Sequence, residues 1–366
     1  MRSLERASKR EPLDKAIQNI AAAYGFSSPA LSLSRRAITD QGEVDHHVAA
    51  IMALVNTTTA APTRPTQIWG VAKKGGGSTL TFSVTGGKHA VAHALIVKTA
   101  LSIAEQAGFD ECAVGVSSVG DHESRRRFTR ELTSFFKKNM ELLAGDMRTQ
   151  AARDPDATYR ALLGSDDPLR ERLPRPIDYL SENSRKIMTD TLALFESVGI
   201  AYALTPHLPV APGVQSELQF AISGVLKGER MIIAQGGRFD EVLKKKVGQA
   251  APAAGIALTL PQEVDMDDEL EVPACFVVHV GEAARLKAFT LLDGMWRAKV
   301  SVREALMAET LKEQIERSKE LGVPYVVIIG QREAIDGTAI VRSTVTQMQT
   351  AMPVEKLIAA VTRARK

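Results

Sequence analysis

Between Pro261 and Pro273 the chain reads PQEVDMDDELEVP, an acid-rich run bounded by prolines that separates two differently patterned stretches. Like charges repel and extend a chain, so residues 261–272 are expected to act as a linker. Ahead of it, residues 1–260 mix helical and strand-like periodicities in a way that suggests an antiparallel sheet flanked by helices. Behind it, residues 273–366 alternate strictly. Strand Ala274–Val280 precedes helix Glu282–Ala298, and a short strand at Val300–Arg303 precedes helix Leu311–Leu321. Strands Tyr325–Gly330 and Thr338–Arg342 and helix Val354–Arg365 complete it. Strands alternating with helices predict a small α/β domain on a largely parallel sheet. A length of 366 residues exceeds what one hydrophobic core usually serves, in agreement with two domains.

In the first stretch, Leu13, Ile17, Ile20, Ala21 and Tyr24 recur at helical spacing and Gly25 ends the run. A helix over Val48–Val55 precedes the loop TTTAAPTRPT. Strands Thr66–Ala72 and Thr79–Thr85, joined by KKGGGS, read as a hairpin. Helices are expected over Gly87–Gly108, Glu123–Leu143 and Tyr179–Val198. Strands are expected at Glu111–Val119, Ala201–Leu204, Glu217–Ile222 and Glu229–Gln235. The charged, proline-punctuated segment at about residues 145–178 reads as a helical insertion of short helices and loops rather than core.

Apolar residues make up 45% and charged residues 24%, enough for a sizeable core. A net charge of +3 permits an RNA partner without demanding one, since phosphate affinity follows local patches. Cys112 and Cys275 lie in strand-like, apolar surroundings, which argues for two thiols and against a disulfide framework. No run of about 18 apolar residues occurs and the first twenty residues lack the apolar core of a signal peptide, so a cytoplasmic protein with no membrane partner is expected.

Five features could carry chemistry on residue type alone. His89 and His93 have the spacing of a two-histidine metal face, but no third ligand accompanies them, and no metal site is expected. Asp45-His46-His47 reads as a solvated loop or helix start. Gly70–Gly75 imitates the start of a phosphate loop, yet Gly76-Gly77 replaces the Lys-Ser or Lys-Thr that such a loop requires. A flexible hairpin tip is the preferred reading, with Lys73 and Lys74 able to touch phosphate. Gly236-Gly237-Arg238-Phe239-Asp240 ends an apolar strand, where glycines serve either close approach of a ligand or a tight turn. Arg125, Arg126, Arg127, Arg130, Lys137 and Lys138 give one predicted helix a basic face, for which a solvated surface is the ordinary explanation. Residue chemistry alone yields two domains and no reaction.

Taken in order, several segments resemble the histidyl-tRNA synthetase family of class II aminoacyl-tRNA synthetases. Val116-Ser-Ser-Val-Gly-Asp-His-Glu-Ser-Arg125 looks like the family's N-S-L-G-D-x-E-S-R, and Ile177–Arg185 is similar to L-D-Y-L-S-E-x-S-R. Gly236–Asp240 matches G-G-R-Y-D with Phe for Tyr, and Ala251–Leu258 looks like T-P-A-V-G-F-A-L. Glu309–Lys319 stands where the family's anticodon-binding domain has R-K-L-K-K-Q-L-K-Y-A-D. The resemblance implies a class II synthetase-like α+β core followed by a small α/β anticodon-binding-like domain. It also implies a homodimer, although Tyr24–Ser34 matches the dimer-forming first signature poorly. Lys312, Arg317 and Lys319 become candidate RNA contacts.

Aminoacyl adenylate formation develops negative charge that arginines and a metal ion stabilise in this family. Here Ile68–Ser78 lacks the F-R-x-E of the second signature, and Gln262 stands in place of the third signature's arginine. Val210–Gln215 replaces the histidine-binding R-G-L-D-Y-Y loop. The resemblance therefore marks Gly236, Gly237, Arg238, Phe239, Asp240, Gln262, Val210, Gln215, Lys73 and Lys74 as a vestigial pocket with no catalytic residue. The expected function is that of a binding or regulatory paralogue, whose partner is tRNA, another RNA, a true synthetase or a histidine-biosynthesis enzyme. No cofactor is expected; ATP and magnesium belong only to a chain that still aminoacylates. A regulator like the synthetase-like subunit of ATP phosphoribosyltransferase is a second reading, and a histidine–tRNA ligase with a remodelled site a third.

Overall fold

The structure is a computed structural model. It describes residues 2–27, 30–41, 44–87, 90–208, 210–265 and 272–364, with 2–12 and 362–364 as backbone only. Eight strands form the larger sheet: β1 (Leu31–Ser32), β2 (Thr66–Lys74), β3 (Gly77–Thr85), β4 (Asp110–Gly120), β5 (Tyr202–Leu204), β6 (Ser216–Leu226), β7 (Glu229–Arg238) and β8 (Ala253–Leu260). Their order is β1-β2-β3-β8-β7-β6-β4-β5, antiparallel throughout the centre and parallel only in the two edge pairs. The expected antiparallel sheet is therefore present, and Pro29, beside the short β1, lies outside the described residues.

Side chains alternate across a strand, and the two faces of this sheet are covered differently. Leu80, Phe82 and Val84 of β3 and Ile256, Leu258 and Leu260 of β8 face α1 (Arg2–Ala23) and α4 (Val91–Gln106), with α8 (Glu182–Ser197) beside them. On the opposite face Ala72, Ala253 and Ala257 meet α3 (His46–Val55) and α9 (Asp240–Val247) through Ile51, Leu54, Phe239 and Leu243. Small residues on the strands let α3 approach closely: a Cβ on Gly255 would lie 2.4 Å from Ile51. The short helix α2 (Arg35–Thr39) precedes α3 and packs on it.

Between β4 and α8 the chain leaves the sheet as α5 (His122–Lys138), α6 (Gly145–Arg153), α7 (Pro155–Leu163) and short 3-10 turns. This segment was expected to hold no core. It does bury one of its own: Phe128, Leu132 and Phe136 from α5 close over Leu143, Ala151, Tyr159, Leu162, Leu169 and Leu173. Each short helix contributes only one to three buried residues, too few to show a period, but together they seal a cluster.

The smaller sheet holds β9 (Cys275–His279), β10 (Val302–Glu304), β11 (Tyr325–Ile329), β12 (Thr338–Ser343) and β13 (Gln349–Pro353) in the order β10-β9-β11-β12-β13. It is mixed rather than largely parallel: β10, β9 and β11 run parallel, while β12 and β13 form an antiparallel hairpin. The strand β13 was missed because its residues are mostly exposed and polar, without alternation. Helices α10 (Glu282–Arg297), α11 (Leu311–Glu320), α12 (Gln331–Asp336) and α13 (Val354–Ala364) complete this unit.

The two sheets share one continuous core. Ile17, Tyr24 and Leu95 belong to the same buried cluster as Phe289, Leu292 and Met307. Polar groups cross the seam as well. Lys98 Nζ lies 2.7 Å from Asp293 Oδ1 with both side chains buried, Tyr24 Oη donates to Asp293 Oδ1 at 3.3 Å, and Gln67 Nε2 donates to Glu304 Oε1 at 3.2 Å. The linker is not extended at its start. Val264 is fully buried, its N–H donates to Ser78 Oγ at 2.8 Å, and Asp265 pairs with Lys73. Residues 266–271 of the linker lie outside the described residues.

Candidate functional site

Where the insertion leaves and rejoins the sheet, two helix starts cap each other. Asp121 accepts the Ser124 N–H at 2.8 Å and so caps α5, and Ser181 accepts the Ser184 N–H at 3.1 Å and caps α8. Crosswise, Ser181 Oγ donates to Asp121 Oδ2 at 2.8 Å, Ser181 N–H to Ser124 Oγ at 2.8 Å, and Asp121 N–H to Ser184 Oγ at 3.0 Å. Burial opposes ionisation of Asp121, but the hydrogen bonds from Ser124 and Ser181 together hold its carboxyl below the usual value. The segments Gly120–Arg125 and Leu180–Arg185, which carried much of the resemblance, thus form a structural clasp. Beside it Glu217 sits at φ 50° in an irregular stretch of β6, and burial pushes its carboxyl up.

Gly236 and Gly237 do not form a turn. They lie within β7, where a Cβ on Gly236 would come within 2.4 Å of Gly255 O and one on Gly237 within 2.4 Å of Leu218 O. The backbone of neighbouring strands demands glycine there. Arg238 makes a two-pronged pair with Asp240, Nε to Oδ1 at 3.0 Å and Nη2 to Oδ2 at 2.7 Å. Asp240 also accepts the Ala253 N–H at 2.8 Å, and Phe239 is fully buried. The whole motif pins the start of α9 to β8.

Lys73, Lys74 and Gln262 lie at the other end of the sheet. Register places Arg238 opposite Ala254 and Ser78 opposite Leu260, so about 20 Å of strand separates the two groups. The β2–β3 connection is a two-residue turn, Gly75-Gly76, both at positive φ, with Lys74 paired to Gly77. Asp45-His46-His47 starts α3, as expected: Asp45 accepts the His47 N–H at 2.8 Å, and chiefly through its bond to His47 its carboxyl falls to about 2. His46 and His47 then staple α3 to the sheet through Thr79 and Thr259, each at 3.0 Å. Burial holds His46 below its ordinary value, helped by the charge of Lys74.

Val210 and Gln215 line a cleft between the insertion and the large sheet. Gln215 is buried and its Oε1 accepts the Ala211 N–H at 2.9 Å, closing the loop on itself. The cavity, of about 300 Å3, is walled by Arg125 and Phe128 of α5, Tyr159 and Arg160 of α7, and the loop from Pro206 to Gln215. Phe128 and Tyr159 meet edge to face at 5.2 Å, and Tyr159 Oη lies 2.9 Å from His207 Nδ1. Burial, with Arg170 and Arg175 nearby, lowers the basicity of His207. An open groove between α5 and α9, bordered by Arg126, Arg130, Lys244 and Lys245, shares Arg125, Thr129 and Gly213 with the cleft. Tyr159 escaped sequence reasoning because its helix was taken for non-core, whereas Arg125 was visible as one of a basic run and as the end of the Val116–Arg125 segment, without its place in a cleft.

The remaining candidates are dispersed. His93 is fully buried, bonds Thr191 Oγ1 at 3.2 Å and packs on Phe220; His89 lies outside the described residues. On α11, Lys312 and Arg317 pair with Glu316 and Glu313, at 3.9 and 3.1 Å, and Lys319 is exposed.

The family described as an anticodon binding domain matches residues 274–364. Over 295 residues the chain is 26% identical to a histidine–tRNA ligase of Thermosynechococcus vestitus, covering 78% of this chain and 68% of that protein. A histidine–tRNA ligase of Fervidobacterium nodosum is also 26% identical over 275 residues, 73% of this chain and 65% of the relative. The chain thus spans about two thirds of the length of these curated relatives. Among solved structures, apo histidyl-tRNA synthetase of S. aureus superposes with a TM-score of 0.52 at 17% identity, covering 98% of this chain and 96% of the other. That likeness is one of fold.

Proposed function

We propose, from the premise that this chain is a member of the histidyl-tRNA synthetase-like family, that it is a binding protein which does not aminoacylate. One observation carries the reading. Where the family's resemblance leads one to look for transition-state arginines, this chain has Val210, Gln262 and a hairpin closed by Gly75-Gly76. The adjoining sheet face is packed by Ile51 and Phe239 against Ala253 and Ala257. Removing a single stabilising donor of this kind costs roughly a hundred- to thousandfold in rate. Lys73, which pairs with Asp265, does not reproduce a planar two-pronged arginine.

The C-terminal anticodon-binding fold supports RNA as the class of partner, with tRNA the first to test. Histidine-dependent exchange of pyrophosphate into ATP separates the readings. The expected result is exchange at the level of a no-enzyme control, together with salt-dependent retention of tRNA on a filter. Exchange that requires histidine would show a working ligase, and absence of tRNA retention at low salt would remove RNA as the partner.

A further inference from the structure

We propose that the outer edge of the smaller sheet, strand β13, pairs antiparallel with β13 of a second copy of this chain, joining two five-stranded sheets about a two-fold axis. The contact goes beyond the binding role above and stands whether or not the chain aminoacylates. It uses none of the residues Tyr24–Ser34, where the resemblance places its dimer signature. A strand at a sheet edge presents a row of unpaired N–H and C=O groups, a template for another chain. β13 ends the order β10-β9-β11-β12-β13, and its Gln349, Thr350, Ala351 and Pro353 are exposed. From Ser343 to Val354 no residue is charged, in a chain of which 24% is charged. The edge thus lacks the lysines and acids that ordinarily ward off pairing. The large sheet is guarded differently, since its edge strands β1 and β5 have only two and three residues.

Two ladder bonds fix which backbone groups point outward. Ser343 N–H donates to Met348 O at 2.9 Å, and Val354 N–H donates to Gly337 O at 3.1 Å. Bonded and non-bonded pairs alternate along an antiparallel ladder. Thr350 and Met352 therefore turn their backbone groups to β12, while Gln349, Ala351 and Pro353 turn theirs to solvent. A two-fold axis at Ala351 lets that residue exchange both bonds with its own copy. Beside it, Gln349 N–H reaches the second copy's Pro353 carbonyl, and Pro353, with no N–H to return, ends the ladder. The same axis sets Thr350 against Met352, and Met348, which is 72% exposed, against Val354. None of these pairs is charged, so the copies do not repel one another. A second copy is the occupant because the smaller sheet has one open edge among the described residues. At the other edge Val302, Arg303 and Glu304 of β10 are buried, α1 packs on them, and Glu304 accepts from Gln67 of the larger unit. One open edge per chain gives a pairing that closes at two copies instead of running on into a fibre.

Sedimentation of the full-length protein across a dilution series tests this. The concentrated parent should have twice the mass of Ala351→Lys, in which like charges stand face to face, and should fall to that mass on dilution. The factor of two holds whether the variant is a monomer or a dimer through the larger unit. Ala351→Glu alone should behave as Ala351→Lys does, and an equimolar mixture of the two should regain the parent's mass, which a misfolded variant would not do. Ala351→Cys should oxidise to a linked pair, since Cα atoms of a bonded pair lie about 5.5 Å apart. Gln349→Cys should not, because the register holds it roughly 13 Å from its own copy. Equal masses for parent and Ala351→Lys at every concentration would overturn the proposal. So would a mixture no heavier than its components, linkage through Gln349→Cys in place of Ala351→Cys, or a parent whose mass grows without limit. Pyrophosphate exchange and tRNA retention are read separately, so failure here leaves the non-catalytic reading untouched.

Discussion

At the end of β9, His279 is buried with neither ring nitrogen in a well-formed hydrogen bond, and Arg285 lies close by. Burial first, and the charge of Arg285 second, depress its pKa from 6.5 to about 4. A histidine whose folded pKa lies below its unfolded one contributes stability that is fully present above pH 6.5 and lost as pH falls towards 4. The loss is on the order of 3 kcal/mol at about 1.4 kcal/mol per pKa unit. Urea unfolding at pH 7 and pH 4.5 should show it, and His279→Leu should flatten that difference; an unchanged slope would refute the assignment. Glu304 works in the opposite sense, because burial raises its carboxyl and its contribution fades as pH rises above the unfolded value. Single residues were unevenly legible. Asp45 as the start of a helix followed from its type, whereas Gly236 and Gly237 did not reveal their purpose, because the backbone they admit belongs to distant strands.

Elements with one long buried stripe or strict alternation were readable from the chain, and α4 and β3 are of that kind. The short α9, with two buried residues, and the six-residue α12 gave no such stripe and were missed. The cleft was illegible for the same reason: its walls come from α5, α7 and a loop that converge only after the insertion has folded. The twin caps of α5 and α8 lend themselves to measurement. Ser181→Ala should cost about 1 kcal/mol or somewhat more, as N-cap losses do. Asp121→Ala should cost a similar amount, and the double variant less than their sum, since both changes break one shared network. Strict additivity in denaturant titrations would mean that the two caps act independently.

Across the whole molecule, the pair formed by Lys98 and Asp293 joins the two sheets where water is excluded. Removing one partner of a buried pair typically costs about 3–5 kcal/mol, and Arg297, which stays on Asp293, keeps the loss towards the lower figure. Lys98→Met should therefore lower the melting temperature markedly, and adding Asp293→Leu should recover part of the loss. A Lys98→Met protein as stable as the parent would show that the seam is wetter than described. The acidic run at 261–272 separates two patterned stretches in the sequence, but the shared core across the seam was not visible there, since Ile17 and Phe289 meet in one cluster only after folding. That union has a consequence for recognition. Two units on a loose tether can each find their own stretch of a partner, whereas two units fused through a common interior hold a set span between the α5–α9 groove and the smaller sheet. A polymer touching both would have to match that span or bend to it, so the protein would act as a caliper, sorting partners by shape before charge.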